Sequence, residues 1–265
     1  MTLPKITKKQ QEIILLIPRF RFLNRIQIQT FLNHKNKKNI NTWLPDLVNK
    51  QYLERIYSTN FGDNTKPAVY YLRINGLRWL KTNSTYNPQQ IRKWYQDKNR
   101  SEGFRDKCLL ITDIYQDFQK QSIGNTGYEA ITESDYSSPD SQFHFFSEPE
   151  TIIHPNLVIK KTKGKQLRTW YLLEYFEETL PKYRVRKRLE NYLEFYWSNE
   201  WENQTNDPFP IILLVFSTKA DMIYAKRYTK KLLEEQDPET LQIRFTTRDG
   251  VRQFGVIGET WEPLA

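Results

Sequence analysis

The feature that most restricts the fold is a run of six apolar residues, Ile211-Ile212-Leu213-Leu214-Val215-Phe216. It has the length of a buried β-strand and falls far short of the roughly 20 residues that span a bilayer. The sequence around it supplies neighbours for such a strand. Strand-like runs are predicted at 128–132, 156–160, 169–176 and 241–246, and helical periodicity at 104–121, 183–197 and 219–236. The helix at 104–121 turns Cys108, Leu109, Ile111, Ile114, Tyr115 and Phe118 inward. Residues 134–150, with Pro139 and Pro149, read as loop. This alternation predicts a small mixed α/β domain over residues 104–265.

The first 80 residues are organised differently. They hold 14 Lys/Arg against 4 Asp/Glu, whereas residues 81–265 hold 26 against 27, so the chain's net charge of +9 resides in its N-terminal third. Thr7 is placed to cap a first helix that Pro18 should end, and Asn24 to cap a second over 25–32. After the polar turn 33–39, a third helix over 39–50 places Ile40, Trp43, Leu44, Leu47 and Val48 on one stripe, with Pro45 expected to kink or restart it. Short strands at 52–57 and 68–73 flank a hairpin tip at 58–67, and a helix at 75–81 closes the unit. Three helices followed by a hairpin is the order of a winged helix-turn-helix, whose third helix enters the major groove.

Lys35, Lys37 and Lys38 stand at the start of that third helix, where free N–H groups and the helix dipole favour phosphate. Asn36, Asn39, Asn41 and Thr42 are short polar groups suited to base edges or phosphates. Lys66 on the wing and Arg55 beside it would extend the backbone contact. Winged helices also dock proteins, but clustered positive charge favours a polyanion. The expected organisation is thus α+β: residues 1–82 a winged helix, 83–103 a linker, partly helical from Pro88, and 104–265 the α/β domain.

The single cysteine, Cys108, excludes an internal disulfide and fits a reducing cytosol. With His34, His144 and His154 scattered, no zinc site and no cofactor are expected. The basic start, Met1 to Lys9, does not read as a signal peptide, so a cytoplasmic protein without membrane association is expected.

Several short motifs together carry a resemblance. They are Thr7-Lys8-Lys9-Gln10, Arg19-Phe20-Arg21-Phe22-Leu23, Tyr52-Leu53-Glu54-Arg55 and Val69-Tyr70-Tyr71-Leu72 with Gly76-Leu77. Later come His154-Pro155-Asn156-Leu157-Val158-Ile159, Tyr171-Leu172-Leu173-Glu174 and Phe209-Pro210-Ile211. The chain resembles the replication-relaxation proteins of plasmids and integrative elements over nearly its whole length. The resemblance implies a DNA-binding role in replication, mobilisation or transcriptional control of a mobile element. It also implies that the C-terminal domain resembles a restriction-endonuclease-like PD-(D/E)XK core, in which an Asp after Pro and an acidic residue two before a Lys hold a divalent metal. The matching positions are Asn156, Glu174 and Phe176. Asn is a weaker ligand than a carboxylate and Phe has no ammonium group, so a nuclease-like scaffold without catalysis or metal is expected, unless Glu129 or Glu133 reaches in or Lys182, Arg184, Lys187 or Arg188 supplies a migrated cation.

The charge run Lys182-Tyr183-Arg184-Val185-Arg186-Lys187-Arg188 reads first as a solvated helix face. Tyr192, Phe195, Tyr196, Trp197 and Trp201 could stack on bases, but at helical spacing they read as core or an oligomer face. The expected function is non-enzymatic, sequence-specific binding of double-stranded DNA, with the C-terminal domain for dimerisation or partner contact. Candidate partners are double-stranded DNA, a second copy of the chain, and a replication, transposition or conjugation protein. The alternatives are a metal-dependent DNA endonuclease and a protein-docking scaffold.

Overall fold

A computed structural model describes residues 2–57, 66–84, 86, 88–164, 167–236, 240–257 and 259–264. The chain divides into two compact units, Met1–Asp113 and Ile114–Ala265. The division falls inside the helix Glu102–Lys120, whose first part belongs to one unit and whose last part belongs to the other.

The first unit opens with α1 (Lys8–Phe20), capped by a reciprocal Thr7–Gln10 box. Pro18 does not end this helix, which continues to Phe20. A proline this near a C-terminus removes a single ladder bond, and Arg21, at φ 68°, makes the actual stop. The two-residue strand β1 (Leu23–Asn24) follows, and Asn24 caps α2 (Arg25–Phe31) through a second box with Gln27. Next come α3 (Lys37–Asn49), β2 (Leu53–Ile56), β3 (Val69–Leu72) and α4 (Ile74–Asn83). α3 begins two residues earlier than the sequence suggests and runs unbroken through Pro45. The strands form an antiparallel sheet in the order β1-β3-β2. Of the expected hairpin tip, residues 58–65 lie outside the described residues.

Gly76 lets α4 approach the chain before β2: a Cβ there would lie 2.4 Å from the Tyr52 carbonyl oxygen. The approach is stitched by backbone bonds from Asn75 to Gln51 (3.0 Å) and from Arg73 to Tyr52 (2.9 Å). Residues 83–103, expected as linker, hold α5 (Pro88–Tyr95) and a 3₁₀ turn, Gln96–Asn99. Trp94 is buried against Tyr86, with ring centroids 4.8 Å apart. Asp97 is buried, ion-paired with Arg21 and 3.9 Å from Arg100. Burial pushes its carboxyl above the ordinary value despite both guanidinium groups. These residues belong to the first unit, because an amphipathic segment with a tryptophan on its inner face has apolar surface to bury.

α6 (Glu102–Lys120) leads into the second unit. There β4 (Thr126–Thr132), α7 (Glu133–Tyr136), β5 (Leu157–Lys163) and β6 (Leu167–Phe176) precede α8 (Lys182–Trp197) and α9 (Glu200–Thr205). The chain continues through β7 (Ile211–Phe216), α10 (Lys219–Gln236), β8 (Ile243–Thr247), α11 (Arg248–Phe254) and β9 (Glu262–Pro263). The strands lie in sequence order from β4 to β9, parallel only across β6-β7-β8 and antiparallel elsewhere. The architecture is α+β with a mixed sheet. Among the described residues no helix is long and apolar enough to cross a membrane.

One face of the sheet, with Leu172, Phe176, Leu214, Phe216 and Phe245, packs under α8 and α10. Residues 134–150 are not a plain loop. They contribute α7 and a 3₁₀ turn, and their Phe143, Phe145 and Phe146 are buried around Trp170 and Trp201. Tyr192, Phe195 and Trp201 are core, whereas Trp197 is half-exposed.

Candidate nucleic-acid interface

α3 has two faces. Ile40, Leu44 and Leu47, at i, i+4 and i+7, are buried and seat the helix on the first unit's core. Lys38, Asn41, Thr42, Pro45 and Asn49 line the exposed side. At the N-terminus the Asn36 side chain accepts the Lys38 N–H at 2.8 Å and so serves as the cap. Lys35, Lys37 and Lys38 are exposed, and none of them forms an ion pair among the described residues. The first turn contains no acidic residue, and none occurs between Lys35 and Pro45. The first acid beyond, Asp46, is held by Lys50 at 2.8 Å and by Gln10 at 2.6 Å. The Lys50 hydrogen bond, against the opposing effect of burial, holds its carboxyl below the ordinary value.

Three ammonium groups therefore gather at the end of the helix where the dipole is positive and carboxylates are usually found. Taken alone this placement costs a few tenths of a kcal/mol per charge, and an anion seated there would reverse its sign.

The short polar residues are not equivalent. Asn36 is committed to the cap. The Asn39 amide nitrogen lies 3.3 Å from His34 Nε2, and the His34 ring packs edge-on against Trp43 with centroids 5.2 Å apart. The Thr42 hydroxyl donates to the Lys38 carbonyl at 3.0 Å, leaving its lone pairs available. Asn41 makes no side-chain hydrogen bond among the described residues and is exposed, which leaves it the most available group for an external partner. Sequence reasoning passed over His34, and the signal for it is its place in the turn that precedes the α3 cap. Arg55 is exposed on β2, opposite Tyr70, with its guanidinium 5.7 Å from the Tyr57 ring. Lys66 is exposed where the chain returns toward β3.

The nuclease-like positions of the second unit gather where β5 begins and β6 ends, but their polar groups point to one another and to the backbone. The Asn156 side-chain oxygen accepts the Tyr175 N–H at 2.9 Å, and the Asn156 N–H donates to Leu173 at 2.7 Å. The amide thus ties the turn to β6. Glu174 is 6% exposed on the face under α8, and Arg188 Nη1 donates to its Oε1 at 2.8 Å. Phe176 stacks on Phe216, with centroids 4.7 Å apart and planes at 13°, and the Arg188 guanidinium lies 5.8 Å from the Phe176 ring. Arg188 therefore sits between the carboxylate and the ring that stands where a lysine would be expected.

Two fully buried phenols complete the surroundings. Burial, and then the charge of Glu174, pushes Tyr192 well above its ordinary value. Burial, and then Glu133 and Glu174, does the same for Tyr136, whose hydroxyl donates to the Pro155 carbonyl at 2.9 Å. Sequence reasoning missed Tyr136, and it read Tyr192 as core without placing it beside Glu174. The signal for Tyr192 is its i+4 spacing from Arg188 on α8. Glu129 is exposed on β4 opposite Lys160, and Glu133 is exposed at the start of α7. Among the described residues no three His, Cys, Asp or Glu side chains gather into a metal-binding group.

Neither a family model nor a curated protein matches the sequence. Among solved structures the chain is similar to the restriction endonuclease FokI, at 14% identity and a TM-score of 0.33, over 93% of this chain and 43% of that one. The chain spans less than half the length of that protein, and a likeness this weak carries no argument about fold or activity.

Proposed function

We propose that the chain is a non-enzymatic, sequence-specific double-stranded DNA-binding protein whose first unit is a winged helix with α3 as its reading helix. The observation that carries this reading is the α3 N-terminus, where Lys35, Lys37 and Lys38 are exposed, without ion pairs among the described residues and without an acidic neighbour in the turn. In this reading the lysines meet phosphates and fix the register, while Asn41 and Thr42 face base edges in the major groove. Arg55 and Lys66 add backbone contacts from the hairpin. The second unit serves dimerisation or partner contact, because Glu174 is neutralised by Arg188 and Asn156 is committed to the backbone. The resemblance to replication-relaxation proteins suggests a role in the replication, mobilisation or transcriptional control of a plasmid or other mobile element.

The test is electrophoretic mobility of the full chain with duplexes from the DNA flanking its own gene and with a scrambled duplex. At low salt both should be retarded, the cognate one more strongly, and retention should fall steeply between about 50 and 200 mM salt as counterion release predicts. A chain that retards no duplex at low salt overturns the proposal.

A further inference from the structure

The second unit carries a basic surface of its own. It holds 19 Lys/Arg against 23 Asp/Glu, so any cluster of positive charge in it is segregation and not surplus. Such a cluster occurs where α8 and α10 lie side by side over the sheet. Their seam is fixed by four contacts. Lys182 Nζ lies 2.9 Å from Asp221 Oδ1 and 4.1 Å from the Tyr224 ring centroid. The Tyr228 hydroxyl donates to Glu190 at 2.5 Å, and the Arg186 guanidinium lies 5.8 Å from the Tyr228 ring.

These contacts leave Arg186 and Lys187 on α8, and Arg227 and Lys231 on α10, exposed beside the seam. None of the four forms an ion pair among the described residues, whereas the neighbouring Lys182, Arg188 and Lys226 are paired with Asp221, Glu174 and Glu262. The acids on the same side lie further toward the C-terminal ends of the two helices, Glu194 seven residues beyond Lys187 and Glu234 three beyond Lys231. The Glu190 carboxylate already accepts the Tyr228 proton, and Arg186 rests on a ring face. Its guanidinium therefore keeps its planar fork of N–H donors, the geometry that suits phosphate. Arg227 and Lys231 are four residues apart on one helix, a like-charge pair that repels unless an anion lies across it.

We infer that Arg186, Lys187, Arg227 and Lys231 form a second phosphate-contacting surface, through which the α8–α10 face holds the backbone of the DNA that the first unit reads. This inference rests on the DNA-binding function proposed for the first unit. It assigns the second unit a share of the affinity and none of the sequence discrimination, because every contact is made by a long cation to phosphate.

The test uses the full chain and its Lys187→Ala/Arg227→Ala/Lys231→Ala variant, with duplex DNA over a salt series and with phosphatidylserine vesicles. The three side chains are exposed, and an unchanged circular dichroism spectrum and Tm establish that the variant is folded. The slope of log K against log salt should become shallower by about 2 to 3, at roughly 0.9 for each phosphate no longer neutralised, with the ratio of cognate to scrambled affinity unchanged. A wild-type chain that binds DNA and a variant with the same slope would overturn the second surface and leave the first unit's role intact. Loss of vesicle binding in the variant, with DNA binding unaltered, overturns it in favour of a lipid surface. If Lys37→Ala/Lys38→Ala leaves binding unchanged while the triple variant loses it, this surface stands and the α3 reading falls. A wild-type chain that binds no duplex overturns both.

Discussion

The α3 terminus and the Glu174 site are both concentrations of charge, and they differ in whether the molecule completes them. At α3 three lysines have no acidic partner among the described residues, and Asn41 has no internal side-chain hydrogen bond among them. At Glu174 the carboxylate has Arg188, Asn156 has the β6 backbone, and two buried phenols close the surroundings. Unsatisfied polar groups on a surface leave binding free energy available to a ligand, whereas a buried charge must be satisfied within the fold or the fold is weakened. The first pattern suits recognition and the second suits structure.

The sharpest way to break this comparison is to remove the Glu174 partner. Arg188→Ala leaves a carboxylate buried without its guanidinium and should cost about 3 kcal/mol, the low end for a buried pair because Arg188 itself is partly exposed. Urea unfolding followed by tryptophan fluorescence reads this, with Trp170 and Trp201 reporting from the second unit's core. A change within experimental error would show that the pair is not structural and that Glu174 is free to serve another role. Replacing both partners by apolar residues, Glu174→Leu/Arg188→Met, should recover most of that stability.

The two regions were unequally legible in sequence. The α3 stripe Ile40, Leu44, Leu47 and the caps at Thr7 and Asn24 are local patterns that need only helical spacing and a short oxygen-bearing side chain. For Glu174 the sequence offered Arg184 or Arg188 as the cation that holds it, and the choice of Arg188 depends on α8 folding back across β6. Residues 134–150 were opaque for the same reason. Phe143, Phe145 and Phe146 fill the core from irregular backbone, where no period marks the inward side. β1 is two residues long and exists because β3 offers it an edge. Pro18 and Pro45 read as helix breakers, yet Pro18 stands too near the end of α1 to cost more than one ladder bond, and the buried stripe of α3 carries that helix through Pro45.

On the α3 side, the next largest effect should belong to the groups that the proposed function turns toward bases. Asn41→Ala or Thr42→Ala should narrow the difference between cognate and scrambled duplex by about 1–3 kcal/mol for a direct base contact, with little change on the scrambled one. The larger share is expected from Asn41, because the Thr42 hydroxyl already donates within the helix. Equal weakening on both duplexes would assign α3 to the phosphates alone.

A smaller and uniform effect should follow from the lysines. Lys37→Ala/Lys38→Ala removes two phosphate contacts and should flatten the salt slope by about 2, equivalent to roughly tenfold in affinity over a fourfold change in salt, the same for every sequence. If this pair instead changes discrimination, the division of labour between lysines and short polar groups is wrong. Fluorescence anisotropy with both duplexes over the salt series separates the two outcomes.

The smallest expected effect is none, and it bears on the other half of the comparison. A metal-dependent nuclease needs ligand oxygens that can release their internal partners and a cation near the attacking water. Here Glu174 would have to give up Arg188 and Asn156 its backbone bond, while Phe176 offers only a ring stacked on Phe216. Arg188 is a poor substitute for the missing lysine, since its Nη1 is already committed to the carboxylate that would hold the metal. Incubation with supercoiled and linear DNA in Mg²⁺ or Mn²⁺ should therefore give no cleavage above buffer, in the wild-type chain and in Glu174→Gln alike. Cleavage that vanishes in Glu174→Gln would mean that the ion pair opens when DNA and metal arrive. The second site would then be an unfinished one of the same kind as α3, and the endonuclease reading would displace the binding protein.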